Sequence, residues 1–252
     1  MRSRTPVALA AAALLVVGGA AACSSSTTTT SPSSAAPSAE ATPNGVQDQD
    51  AKKILEQARE AASAATSVTV AVVQDNAGTE VRTDLTLSDQ GSTGTLGQPD
   101  GQAVEIIATP DTIFVKGTAF AQTLGAENAA ALEGKWLSVP KDNPAAQSFA
   151  GLGSVKEFVD TTLATPADLK KLPTKDVGGT EAVGLQSEQG TLWIATTGEP
   201  YPVEITAPEG ASGTLTMSNW NAPVTITPPP ADEVVDISTL KQAPAPSAPT
   251  GQ

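Results

Sequence analysis

Beyond Pro166 the chain repeats one unit: a short apolar or alternating run, then a turn. The runs fall at 172–177, 181–187, 191–196, 201–207 and 212–219, and the turns between them read VGG, SEQG, TGEP and APEG. A turn about every ten residues is the rhythm of an antiparallel meander. The same code occurs earlier. In EVRTDLTLS, Val81, Thr83, Leu85 and Leu87 share one face and Arg82, Asp84 and Thr86 the other, which describes a strand with one wet side. SVTVAV, AVEIIAT, TIFVKG and KWLSVP read as further strands, separated by the turn sequences DNAG, DQGS and QPDG.

Helical periodicity interrupts this pattern in three places. In DAKKILEQAREAASAAT, from Asp50 to Thr66, Ile54, Ala58, Ala61 and Ala65 form one stripe with Leu55 and Ala62 beside it. Asp48 and Asp50 stand at its start, where the helix dipole favours acid. Phe120, Leu124 and Ala131 mark a second stripe, and Phe149, Leu152, Val155, Val159 and Leu163 a third. Near the end, Pro228–Pro230 followed by Asp232 and Glu233 reads as a stop and a short helical start. The expected fold is therefore α+β over residues 49–240. A large curved antiparallel sheet of about ten strands packs against about three helices.

Three strands are apolar on both faces: Val104, Ile106 and Ile107; Ile113, Phe114 and Val115; Leu192, Trp193 and Ile194. Such strands are covered on both sides. Either helices pack on the second face, or that face lines an apolar cavity.

The chain has no histidine and a single cysteine among 252 residues. The first absence removes the commonest general base and the Ser-His and Cys-His nucleophile pairs. The second rules out an intrachain disulfide and a cysteine metal cluster. A formal net charge of −13 opposes nucleic-acid binding, which depends on neutralising phosphates, and repels anionic membrane surfaces.

Residues 1–22 read as an export signal. Arg2 and Arg4 supply the positive start, Val7–Val17 the apolar run, and Gly18 and Gly19 its end. That run is too short for a membrane span of ~20 residues. Ala20-Ala21-Ala22 fits a peptidase cleft and Cys23 follows at once, which resembles the lipobox of bacterial lipoproteins. Ala20 stands where those proteins usually carry leucine. The resemblance implies diacylglyceryl transfer to the Cys23 thiol and a membrane-anchored, extracytoplasmic protein. The same alanines also satisfy an ordinary secretory signal. Residues 23–48 then comprise the lipidated cysteine and a Ser/Thr/Ala/Pro tract too poor in apolar periodicity to order itself, and 241–252 form a comparable Pro/Ala tail. A flexible tether of ~25 residues spans roughly 25–30 Å.

The order of these parts resembles actinobacterial lipoproteins of the LppX/LprAFG type, related in fold to the LolA and LolB carriers. The resemblance rests on the lipobox and tether, then SVTVAV, TIFVKG, a helix and KWLSVP, and finally LWIATTGEPYPVEI and MSNWNAPVTITPPPADEVVD. It implies a half-barrel-like open sheet wrapped around helices, with an apolar cavity between them that takes an acylated lipid or lipoglycan. The cavity side would include Val104, Ile106, Phe114, Val115, Leu124, Trp193 and Ile205. No cofactor, metal or catalytic residue is implied. An envelope protein partner is the other binding expectation, through a fully packed sheet with no ligand.

Motifs for chemistry are weak beside this reading. Gly134-Lys135 is followed by Trp136 rather than Ser or Thr, and Ala129 stands where a phosphate-binding loop needs glycine. Ser138–Lys141 matches S-x-x-K, but Pro140 follows a strand and KTG is absent. Asp232, Glu233 and Asp236 read as solvated helix-start charges or a weak calcium site. Trp136, Trp193 and Trp220 read as core or rim packing. No facing pair of carboxylates for hydrolysis can be singled out.

Overall fold

The computed structural model describes residues 42–76, 78–97, 103–149, 151–164 and 166–240. The expected signal sequence, Cys23 and the expected C-terminal tail lie outside them. Twelve strands form one open sheet: β1 (Ser67–Asn76), β2 (Thr79–Ser88), β3 (Gly91–Gly97), β4 (Val104–Ala108), β5 (Thr112–Lys116), β6 (Trp136–Pro140), β7 (Lys170–Val177), β8 (Thr180–Ser187), β9 (Gly190–Ala195), β10 (Pro202–Thr206), β11 (Thr214–Ser218) and β12 (Val234–Asp236). Their order is β12-β6-β5-β4-β3-β2-β1-β11-β10-β9-β8-β7. Two meanders, β1–β6 and β7–β11, are thus sewn together where β1 pairs β11. All pairings are antiparallel except β12 with β6. The meander rhythm of the sequence is borne out. The parallel edge strand is an addition, delivered by residues 222–233 as they travel from the middle of the sheet to its far edge.

Four α-helices occur among the described residues: α1 (Ala51–Ala64), α2 (Thr118–Thr123), α3 (Ala126–Ala131) and α4 (Val155–Thr162). Asp50 caps α1 by accepting from the Lys53 amide, and Ser154 caps α4 by accepting from the Glu157 amide. The second expected helix is broken in two at Gly125, whose φ of 93° is left-handed. The third is divided between a 3-10 turn, Pro144–Phe149, and α4.

Register assigns the faces. Leu137, Val115, Ile106, Gly94, Leu85, Val70 and Met217 are successive cross-strand partners from β6 to β11. A second row continues through Val72, Leu215, Ile205, Leu192 and Leu185. This inner face carries the helices, and its core falls into three clusters. Ala62, Ala65, Val155, Phe158, Val159 and Leu163 of the helical layer cover Val68, Val70, Leu87 and Met217. Ala121, Leu132 and Ala146 cover Ile106, Ile113, Val115 and Leu137. Ile54, Leu55 and Ala58 of α1, with Val46, cover Val183, Leu185 and Ile194.

The domain begins earlier than the sequence reading places it. Thr42–Asp48 belong to the domain: the Gly198 amide donates to the Thr42 carbonyl, Pro43 bridges Thr197, and Asn44 Nδ2 donates to the Ala195 and Gly198 carbonyls. Val46 then buries itself beside α1. One apolar residue in a polar tract carries little periodicity, so the sequence offers no signal for this dock. The two ends of the sheet also differ. Strands β1, β3, β5, β8 and β10 begin at one rim, called here the entry rim because Thr42 joins the domain beside Thr196–Gly198.

Candidate functional site

Hollows occur where the helical covers meet. The first is a cleft of about 420 Å³ at the entry rim. Ile113 at the start of β5, Ala146 and Phe149 form its apolar floor, continuous with the second core cluster. Lys141, Glu157 and Asp160 form its polar lip. Glycine makes part of the room. A Cβ on Gly153 would stand 3.0 Å from Lys141 Nζ and collide with the Glu157 carboxylate. Asp160 is committed elsewhere: it accepts from Lys156 Nζ at 2.7 Å and stands 4.0 Å from Arg59 Nη2 of α1. The Lys156 hydrogen bond, aided by the charges of Lys156 and Arg59 and opposed by desolvation, holds its carboxyl below the ordinary aspartate range.

A second cleft, about 450 Å³, opens at the opposite rim between α2, α3 and the β4–β5 pair. Its walls are small, with Gly117, Ala121, Ala129 and Gly134, and Glu105, Lys116 and Glu133 stand around it. A third hollow of about 100 Å³ lies between α1, the end of α4 and the β8–β9 hairpin, lined chiefly by Leu55, Leu169, Leu185, Leu192 and Ile205. The first two lie within the size range of ligand sites; the third holds only the end of a chain.

The seven cavity residues expected from the sequence do not converge. Ile106 and Val115 are 0% and 1% exposed and solidly packed in the second cluster, with Val104 and Leu124 against it. Ile205 packs on the first cluster and lines the smallest hollow. Phe114 points to the other side of the sheet, being the partner of Ile107 and Ser138 one residue out of phase with Ile106 and Val115. Trp193 is also on that outer face. It lies over Gly184, where an added Cβ would stand 2.9 Å from its Cζ3. Lys175 Nζ sits 4.0 Å from the ring centroid and 3.8 Å from Glu204 Oε1. Two-sided apolarity marks these strands in the sequence, but it cannot say which side is which. Sequence reasoning does not bring Ile113, Ala146 and Phe149 together: Ile113 is marked only as part of a strand apolar on both faces, Phe149 only as part of a helical stripe, and Ala146 not at all. The available signal is the spacing Gly151-Leu152-Gly153 just before a helix cap.

The sequence motifs resolve as structure. Ser138 lies within β6 and its hydroxyl donates to the Val235 carbonyl at 3.5 Å, while Lys141 is beyond the strand end. Asp236 accepts from the Ser238 amide and hydroxyl, which hold its carboxyl below the ordinary range. Among the described residues no group of three or more His, Cys, Asp or Glu is placed to hold a metal, and no helix is long and apolar enough to cross a membrane. At the entry rim the chain's one tyrosine stacks on a tryptophan: Tyr201 and Trp220 lie 4.8 Å apart and 8° from parallel. Trp220 Nε1 donates to the Pro202 carbonyl, and Asn221 Nδ2 to the Tyr201 hydroxyl. Asn219 and Asn221 flank the tryptophan at φ 52° and 60°, left-handed conformations that asparagine tolerates.

No protein-family model and no curated protein sequence matches the chain. Solved structures do. LprF from Mycobacterium bovis is 18% identical, with a TM-score of 0.48 over 71% of this chain and 96% of its own. An uncharacterized conserved protein from Thermus thermophilus is 14% identical, with a TM-score of 0.41 over 75% and 99%. A chain of the MucA/MucB complex of Pseudomonas aeruginosa is 18% identical, with a TM-score of 0.36 over 73% of this chain and 60% of that one.

Proposed function

We propose that this chain is an exported lipoprotein, anchored to the outer side of the cell membrane through acyl chains on Cys23, whose domain binds or carries an acylated lipid or lipoglycan. The observation that supports this most is the entry-rim cleft. It joins solvent to the apolar inner face through Ile113, Ala146 and Phe149, at a volume of about 420 Å³. Each methylene buried there gives about 0.8 kcal/mol, so a chain of ~15 methylenes gives about 12 kcal/mol, and a bilayer offers it nearly the same. Transfer between the two then needs no catalyst, only a cleft that matches the membrane.

A competing reading, an envelope interaction domain with no ligand, draws on the dense cluster around Ile106 and Val115, where side chains fill the interior. Native mass spectrometry of the full chain from its own host separates them, since co-purifying lipid supports the first and a bare mass the second. Gln147→Trp sharpens the test. Gln147 is exposed and lines the cleft, so a tryptophan there fills it without touching the core. Uptake of a fluorescent fatty acid should fall with the melting temperature unchanged. Unaltered uptake would remove the cleft from consideration.

A further inference from the structure

Strand direction places three features on one rim. The chain enters the domain at Thr42, bonded to Gly198, with Asn44 bonded to Thr196. Three residues past Gly198 lies Tyr201, stacked on Trp220. The cleft at Ile113 opens at the start of β5, and the Lys141 amide there donates to the Asp111 carbonyl in the β4–β5 turn. The register shows why these coincide: β10 begins and β11 ends at this rim, and so do β5 and β6 respectively. Six strand steps separate β10 from β5, and both begin at this same rim.

We propose that this rim is a membrane-contact surface. It docks on the bilayer that holds the Cys23 anchor, with Tyr201 and Trp220 at the interface and the cleft mouth turned toward the lipid. The inference rests on the lipid-binding reading above and names the bilayer as the partner that exchanges with that same cleft. Three arguments carry it. First, the described domain is joined to the Cys23 side of the chain through Thr42, which is bonded at this rim to Gly198. A docked domain that turns this rim to the bilayer has its point of attachment on the same side as its contact surface. Second, Tyr and Trp favour the membrane–water boundary because each has an apolar body and a polar edge. In a chain with one tyrosine and three tryptophans, the tyrosine and one tryptophan are stacked, half-buried, at this rim. Third, lipid leaving a bilayer through a mouth that faces it never exposes its tail to water.

Charge sets the kind of bilayer. Asp89, Asp111, Asp142 and Glu199 lie at this rim, against Lys141. Docking is thus by apolar insertion and is weakened by anionic lipid.

The test uses the full lipidated chain reconstituted in vesicles of phosphatidylcholine carrying bromine on the acyl chains. Tryptophan emission should be quenched, and Trp220→Phe should abolish the quenched component while leaving the emission of Trp136 and Trp193. Glu209→Trp adds a reporter at the opposite rim, in the β10–β11 turn, and this one should stay bright. Replacing part of the phosphatidylcholine with phosphatidylglycerol should relieve the quenching of Trp220. An unquenched Trp220, or an opposite-rim reporter quenched as strongly, overturns the orientation. A separate measurement of fatty-acid uptake keeps the two ideas apart. Uptake without quenching leaves the carrier and removes the docking, and quenching without uptake leaves the docking and removes the carrier.

Discussion

Gly184 shows how one missing side chain shapes the outer face. Trp193 lies flat against the sheet there, and a Cβ would stand 2.9 Å from its Cζ3, 3.0 Å from Cη2 and 3.1 Å from Leu172 Cβ. At such distances something must shift. The indole is the end of a side chain held between Lys175 and the sheet, so it cannot swing away freely. Gly184→Ala should therefore destabilise by about 1–3 kcal/mol, as overpacking does, read as a fall in melting temperature. Trp193→Phe should largely rescue it, because the smaller ring frees the space. Lys175→Met should cost less than Gly184→Ala, since the cation adds only a modest attraction to an already packed ring. The same position explains a misreading. Trp193 in LWI looks like a cavity residue because both its neighbours are apolar. The partner that settles its side is a glycine on another strand, and no local pattern contains that information.

At the scale of elements, α4 is held to α1 at the lip of the cleft. Apolar packing of Val155, Phe158, Val159 and Leu163 does most of this, and Asp160 adds an exposed charge tie to Arg59. The Lys156 hydrogen bond within α4, with smaller help from the charges of Lys156 and Arg59, depresses the Asp160 carboxyl in the folded state, so the stability from these contacts together is fully present above the ordinary aspartate pKa. It is lost as pH falls through the lower, folded value. Asp160→Asn should thus lower the melting temperature slightly at neutral pH. The gap from the parent should close in the acid range below the usual aspartate titration, measured by melting curves over that span. Exposed pairs contribute little, so the effect is small. The elements themselves are well written in the sequence. The alternation of β2 and the capped stripe of α1 act locally, and both stand where the periodicity puts them. The edge strand β12 is not legible there. Val234–Asp236 is three residues long, follows three prolines, and is a strand only because β6 offers it a partner.

At the scale of the molecule, an open sheet has two edges to protect. β12, short and parallel, occupies one. β7 forms the other and carries Lys170, Lys171 and Lys175, with Pro173 at a register shift between Leu172 and Thr174. Lysine and a proline bulge are the means by which natural edges refuse another strand. Pro173→Val combined with Lys170→Val should convert β7 into a continuous apolar-tolerant edge and drive self-association, detected by light scattering at unchanged secondary structure. Lys171 is left in place because its ammonium donates to the Gln47 and Gln49 carbonyls.

The seam between β1 and β11 has a consequence for how the chain is made. Thr216 Oγ1 donates to the Ala71 carbonyl across 145 residues of sequence. A polypeptide emerging amino end first therefore shows one bare side of β1 until almost all of it has been synthesised, and joining the halves is a distant loop closure, slow by its nature. Whatever escorts the nascent chain has this long strand to shield until residues 214–218 arrive, and the shorter edge of β6 until 234–236 follow.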